Sequence, residues 1–199
     1  MAFQNINPGA LLCPVPAVMV SCAGEGVRPN IITIAWAGTV CSQPPMVSIA
    51  VRPERYSHAI IRDSGEFVIN LVGEGQLAAA DHCGVRSGRE EDKFAACGLT
   101  AVAAEGMRWA PAIGECPLYL ACKVQQVLSP GCHDLFIARV VSVGVQEELM
   151  RPDGKIDLQA AKLIAYSHGI YHGLGPALGF FGYSVAAPDV YERRMKELK

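Results

Sequence analysis

Asn30 to Val51 reads NIITIAWAGTVCSQPPMVSIAV and carries no charged side chain. It is long enough to cross a bilayer as a helix, but Pro44-Pro45 and the loop-like GTVCSQ divide it. Two strand-sized pieces remain, Asn30–Ala37 and Met46–Val51, both rich in β-branched and apolar residues. Hydroxyls and amides are threaded through the whole segment, at Asn30, Thr33, Thr39, Ser42 and Gln43. A buried polar side chain needs a partner. These groups meet either their own backbone or something that is not protein.

Similar runs lie on both sides. Val15–Cys22, Glu66–Val72, Leu118–Leu128 and Leu135–Val145 all read as strands bounded by Gly, Pro or Ser. In the last, Leu135, Ile137, Val141, Val143 and Val145 share one face, and Phe136, Ala138 and Val140 the other. A strand apolar on both faces is central or sits in a closed barrel. Helical pieces are short: Ser57–Arg62, the Ala-rich Gly75–Cys83, and Arg89–Cys97. Ser87 and Glu90 have capping-box spacing for the last of these, with Phe94 and Cys97 facing inward. Strands that cluster, with few helices, exclude an alternating βαβ pattern. The expected class is mainly β, a closed or nearly closed antiparallel barrel with small helices on its rim.

The 199 residues are 51% hydrophobic and 18% charged, which fits one globular domain over 1–199. A net charge of −2 gives no basic excess for nucleic acid, and no charge run suggests a membrane surface. The first charge is Glu25, and Pro8, Pro14 and Pro16 interrupt the uncharged start, so a soluble cytoplasmic chain is expected. Eight cysteines form no CxxC pair and no zinc spacing with histidine. They read as small buried thiols, with Cys41 the one to watch for reactivity.

Several segments carry chemistry. GLGPALG, Gly173–Gly179, has the wrong spacing and no preceding strand for a dinucleotide fingerprint, and P-loop and GxSxG motifs are absent. RSGREEDKF is either a solvated helix start or an anion site built from Arg86, Arg89 and Lys93. VRPERYSHAII brings Arg52, Arg55, Ser57 and His58 together, as a cap with surface charge or as a second phosphate cradle. His168 and His172 stand i, i+4 in a helical turn, but no third ligand accompanies them, so no metal is expected. His133, in GCHDLF before a long strand, is a strand cap or a polar group at a pocket rim.

The order of these pieces resembles the flavin reductase-like, FMN-binding split-barrel family, and within it the flavoredoxin branch. PVPAVMVSC, NIITIAWAGTVCSQPPMVSIAV, RPERYSHAII, EFVINL, SGREEDKF, GCHDLFIARVVSV and YHGLGPALGFFGYS follow in the family's sequence, over roughly residues 14 to 184. The resemblance implies a Greek-key split barrel that dimerises, with FMN near the dimer interface. It implies that Asn30, Thr33, Ile34, Ala35 and Trp36, with Thr39, Val40, Cys41 and Ser42, wrap the flavin ring and ribityl chain. Arg55, Tyr56, Ser57 and His58 match the segment that meets the phosphate, where the family more often has Thr than Ser. Ser87, Arg89 and Lys93 match a second phosphate-side segment. Asn70 and Leu71 would end a strand lining the flavin, and His133 would stand near its reactive face as the catalytic group. The implied activity is electron transfer from NAD(P)H or a protein donor through FMN to an acceptor. Pure electron carriage stays open, as does a non-enzymatic split barrel that binds a ligand or a partner protein. The Cys spacing argues against a metal-thiol redox protein.

Overall fold

The computed structural model describes residues 1–198. In chain order the strands are β1 (Val15–Pro16), β2 (Val18–Gly24), β3 (Val27–Ile34), β4 (Ala37–Ser42), β5 (Pro45–Val51) and β6 (Glu66–Leu71). They continue with β7 (Ala101–Val102), β8 (Ala112–Ile113), β9 (Leu118–Leu128), β10 (Asp134–Val145), β11 (Ile164–Ser167) and β12 (Ile170–Gly173). The α-helices are α1 (Tyr56–Ser64), α2 (Leu77–Val85), α3 (Lys93–Cys97) and α4 (Pro188–Glu197).

Seven strands form one antiparallel sheet in the order β3-β2-β6-β9-β10-β5-β4. No ladder joins β3 to β4 at its ends, yet residues of β2, β3, β5, β6, β9 and β10 pack into one interior. Val20, Ile49, Phe67, Cys122 and Phe136 are fully buried there, with Ile61 of α1 closing one end. The sheet is therefore a curled, split barrel. The fold is mainly β, as expected.

The hairpin β2–β3 is covered on its outer face as well. Met19, Ile31, Cys83 and Phe94 make a second cluster beneath α2, α3 and β11. Both faces of β2 are thus dry, which explains why its sequence is almost unbroken apolar. Ser21 is its polar exception, donating to the carbonyl of Pro111 at 2.5 Å.

Four local expectations give way. GTVCSQ is not a loop: Ala37–Ser42 is strand β4, paired with β5 from Ala37↔Ile49 to Ser42↔Pro45. Helix α3 does not use the Ser87/Glu90 box. It starts at Lys93, where Asp92 Oδ1 accepts from Phe94 N and Ala95 N at 3.0 and 3.2 Å. A carboxylate nearer the first turn wins, and Ser87 is left to bend the preceding loop by accepting from Arg89 N. His168 and His172 lie on no helix. They belong to the hairpin β11–β12, whose turn residues His168 and Gly169 both have positive φ, 46° and 96°. In β10 only one face is dry: Phe136 and Ala138 are buried, while Val141 and Val143 are about half exposed.

Candidate functional site

Two cavities meet where β3, β5 and the start of α1 converge. One, of about 350 Å³, is cationic. Arg52 and Arg55 enter it from the β5–α1 turn, Arg86 and Arg89 from the segment between α2 and α3, and Lys93 from the start of α3, with Glu54 the one acid on its wall. The other, of about 510 Å³, runs along Ile32–Trp36 and is walled by Val51, Tyr166 and Tyr171, with His133 at its rim. Ile32, Arg52 and Arg55 line both, so the two are one elongated cleft.

The cationic end has a built floor. Asn30 is 3% exposed, and its amide donates to Ser57 Oγ at 2.8 Å. Its Oδ1 is, among the described residues, the one buried side-chain polar atom without a hydrogen-bond partner. Gly88 makes this crowding possible: a Cβ there would come within 2.0 Å of Asn30 Oδ1 and 2.9 Å of Tyr56. Arg89 lies over the Tyr56 ring at 5.4 Å and donates to the carbonyl of Glu54 at 3.2 Å, which ties the two cationic segments together.

Lys93 is 3% exposed and donates to the carbonyls of Ile31 at 2.8 Å and Cys83 at 2.7 Å. Burial pulls its pKa below the usual lysine range, against the pull of Cys83 and with a smaller push from Arg55. Two of its three N–H groups are spent on backbone. It contributes positive charge to the cavity from beneath, and it also anchors α2 and α3 to β3.

At the other end, Trp36 is about half exposed and stands edge-on to His133, centroids 4.7 Å apart. Burial, then the nearby Arg52, lowers the His133 pKa, opposed by Glu54. The Cys132 thiol lies 3.2 Å from His133 Nδ1. Thr33 lines the cleft but donates its hydroxyl to Ala80 O of α2, which leaves its lone pairs free. Ile34 and Ala35 supply an apolar wall.

The expected residues therefore divide. Asn30, Thr33, Ile34, Ala35, Trp36, Arg55, Tyr56, Ser57, Ser87, Arg89, Lys93 and His133 line the cleft. Asn70 does not: it donates to Met19 O and Ser21 Oγ and accepts from Ile113 N, so it is spent on the core. Leu71 ends the same strand beside a different, apolar hollow. His58 is buried against Phe136, and its Nε2 is 2.7 Å from Asp134 Oδ2, a link between α1 and β10. Thr39, Val40, Cys41 and Ser42 lie on the edge strand β4 and line neither cavity. The Cys41 thiol only bonds the carbonyl of Gln43. Four other thiols, Cys22, Cys83, Cys116 and Cys122, are buried, and burial pushes each up to about 12.

The sequence reading missed Tyr166, Gly169 and Tyr171, which the β11–β12 hairpin brings over the cleft. Tyr171 donates to Asp81 of α2 at 3.3 Å, and burial, then Asp81, raises its pKa. The available signal was the His-Gly pair between two short apolar runs.

The profile of the flavin reductase like domain matches residues 11–175. The reductase component of a 4-nitrophenol 4-monooxygenase/4-nitrocatechol 2-monooxygenase from Rhodococcus opacus is 36% identical over 123 residues, 62% of each chain. An FMN reductase (NADH), RutF, of Pseudomonas syringae is 27% identical over 63% of this chain and 67% of its own. Among solved structures, the flavoredoxin of Desulfovibrio vulgaris (Miyazaki F) superposes with a TM-score of 0.85 at 31% identity, over 92% of this chain and 99% of that one. The chain belongs to the flavin reductase-like family, and its fold is the split barrel of that family.

Proposed function

We propose that the protein is an FMN-dependent oxidoreductase that takes electrons from NAD(P)H and passes them to an acceptor. The observation that carries this reading is the shape of the cleft: five cations at one end, and an apolar wall with tyrosines, Trp36 and His133 at the other, joined through Arg52 and Arg55. A phosphate suits the first end and a flat heteroaromatic ring the second. The buried, unpartnered Asn30 Oδ1 beside the cationic cavity fits a ligand that brings a hydroxyl. Bound there, FMN would supply the redox chemistry, accepting two electrons from a nicotinamide and releasing them to the acceptor.

The chain's own residues bind and orient. Arg86 and Arg89 neutralise the phosphate from the exposed side, and Lys93 from beneath. Arg52 and Arg55 hold the junction between phosphate and ring. Thr33–Trp36, which line the ring end of the cleft, would offer the ring an apolar wall and any backbone amide not used by the β2 ladder. His133, its pKa lowered, is a neutral imidazole near pH 7 and adds no positive charge at the mouth. The reading includes a homodimer: Trp36 at the mouth and Val40 on β4 are each about half exposed, and β4 is a sheet edge. Sedimentation of the purified protein checks that part.

An absorption spectrum, then anaerobic NADH and NADPH, tests the main reading. A flavin band that bleaches supports the oxidoreductase. A band that survives both nucleotides favours pure electron carriage, a second reading that the 31% identity to a flavoredoxin supports. No flavin bound, and none taken up from added FMN, refutes both.

A further inference from the structure

Cys83 and Cys97 are two thiols that meet. Among the described residues they form the one sulfur–sulfur hydrogen bond, at 3.9 Å. Cys83 is buried in α2, and Cys97, the last residue of α3, is partly exposed beside it. The two sulfurs are close to van der Waals contact. Side-chain rotation and a small shift of the five-residue α3 would bring them to bonding distance.

The chain between them is the phosphate side of the cleft. The two cysteines are 14 positions apart, and Arg86, Ser87, Gly88, Arg89 and Lys93 lie between them and line the cationic cavity. At Gly88 the segment comes down on Asn30, too close for any Cβ. The ties that hold it there are non-covalent. Arg28 donates to the carbonyls of Gly88 and Glu91 at 3.3 and 2.8 Å, and His82 Nε2 lies 2.7 Å from Glu91 Oε1. Arg28 is exposed and His82 partly so, and ties of that kind break and re-form in local opening. A ligand held by Arg86 and Arg89 leaves during those openings.

We infer that Cys83 and Cys97 are a site of reversible oxidation, where a disulfide closes the phosphate-side segment at its base and slows the release of FMN. The inference rests on the FMN reading of the cleft. The oxidant is hydrogen peroxide. The Cys97 thiol gives its proton to solvent, and the thiolate attacks one peroxide oxygen. An S–O bond forms, the O–O bond breaks, and the departing hydroxide is protonated to water. Cys83 then loses its proton to solvent and attacks the Cys97 sulfur. The S–S bond forms, the S–O bond breaks, and a second hydroxide leaves as water. The two thiols give up two electrons and the peroxide takes them. The order follows from exposure. Cys97 is the reachable thiol, whereas burial pushes Cys83 up to about 12 and suits it to attack only a neighbour already in contact. A small-molecule dithiol reverses the bond.

The test treats the FMN-loaded, full-length protein with hydrogen peroxide and reads two things. Peptide mapping by mass reads the cross-link, and recovery of flavin fluorescence on dilution reads the release rate. Wild type should lose the mass of two hydrogen atoms, yield a peptide pair joined through Cys83 and Cys97, and release FMN at least about fivefold more slowly. Dithiothreitol should restore the faster rate. Cys97→Ser and Cys97→Ala should release FMN within about twofold of untreated wild type and should not respond to peroxide. No joined peptide from wild type, a joined peptide with release unchanged or faster, or a response that persists in both variants overturns the inference and leaves the FMN reading standing. A protein that takes up no flavin overturns both. The mapping of wild type needs neither variant to fold.

Discussion

Arg86 and His133 occupy opposite ends of the cleft, and each allows a clean substitution. Arg86 is exposed and lines only the cationic cavity, so Arg86→Glu reverses a charge without disturbing the core. A charge-assisted contact to phosphate contributes about 1.5–3 kcal/mol, so FMN affinity should fall at least about tenfold. Riboflavin, which lacks the phosphate, should bind the variant as it binds wild type. Equal losses for the two ligands would remove the phosphate from that end. Lys93 is the poorer choice: Lys93→Glu would set a carboxylate against the Ile31 and Cys83 carbonyls and would test folding rather than phosphate binding. His133→Ala should leave FMN affinity within about twofold while slowing reduction by NADH at least about tenfold, since positioning at the reacting face governs that step. Stopped-flow bleaching measures it, and an unchanged rate would take His133 out of the site. Most residues that line the cleft were legible because their sequence neighbours share the cavity: Asn30–Trp36, Arg55–Ser57 and Ser87–Lys93. Asn70 and His58 lie off the cleft, and in sequence a strand-borne amide and a helix-borne imidazole look alike whether they face ligand or core. Only the partners at Met19, Ile113 and Asp134 distinguish the two.

At the scale of elements, local signals succeeded where packing and propensity agreed. β2, β3, β5, β6, β9 and β10 all fall on apolar, β-branched runs, and three of the helices were placed to within a few residues. The failures have two causes. β4 is written in turn-forming residues, Gly38 and Ser42 among them, and becomes a strand only because β5 lies alongside to pair with it. The β11–β12 hairpin has only four residues per arm, too short for a periodicity to declare itself. Its turn is nonetheless specific, with Gly169 at φ 96°. Gly169→Val puts a β-branched residue into a left-handed conformation and should cost about 1–2 kcal/mol locally. Because this hairpin carries Tyr166 and Tyr171 over the cleft, FMN affinity should drop severalfold with little change in the urea midpoint of the barrel. A large loss of global stability with affinity retained would contradict that division of labour.

For the whole molecule, Glu66 is the group through which acid should be felt. Burial alone would raise its pKa, but the Lys123 ammonium and the backbone N–H groups of Ala110, Trp109 and Arg108 outweigh it, and the net pKa lies below the usual glutamate range. A depressed carboxylate contributes stability that is present above its ordinary pKa and is lost as pH falls through the folded value. Glu66→Gln should therefore cost about 2 kcal/mol near pH 7, and the gap from wild type should close as pH falls below the ordinary glutamate range and through the depressed folded value. Urea unfolding at a series of pH values reads this; a gap independent of pH would mean that the charge contributes nothing. At the same scale, β2 is hydrogen-bonded to β3 on one side and β6 on the other, with both faces dry. Its amides have no route to solvent short of opening the barrel itself. In deuterium exchange they should be the slowest in the chain, giving up their protons at a rate set by global unfolding, while β4 at the sheet edge and the β11–β12 hairpin over the cleft exchange by local opening. Bound flavin should then slow the hairpin first and β2 only by the amount that it raises the stability of the whole.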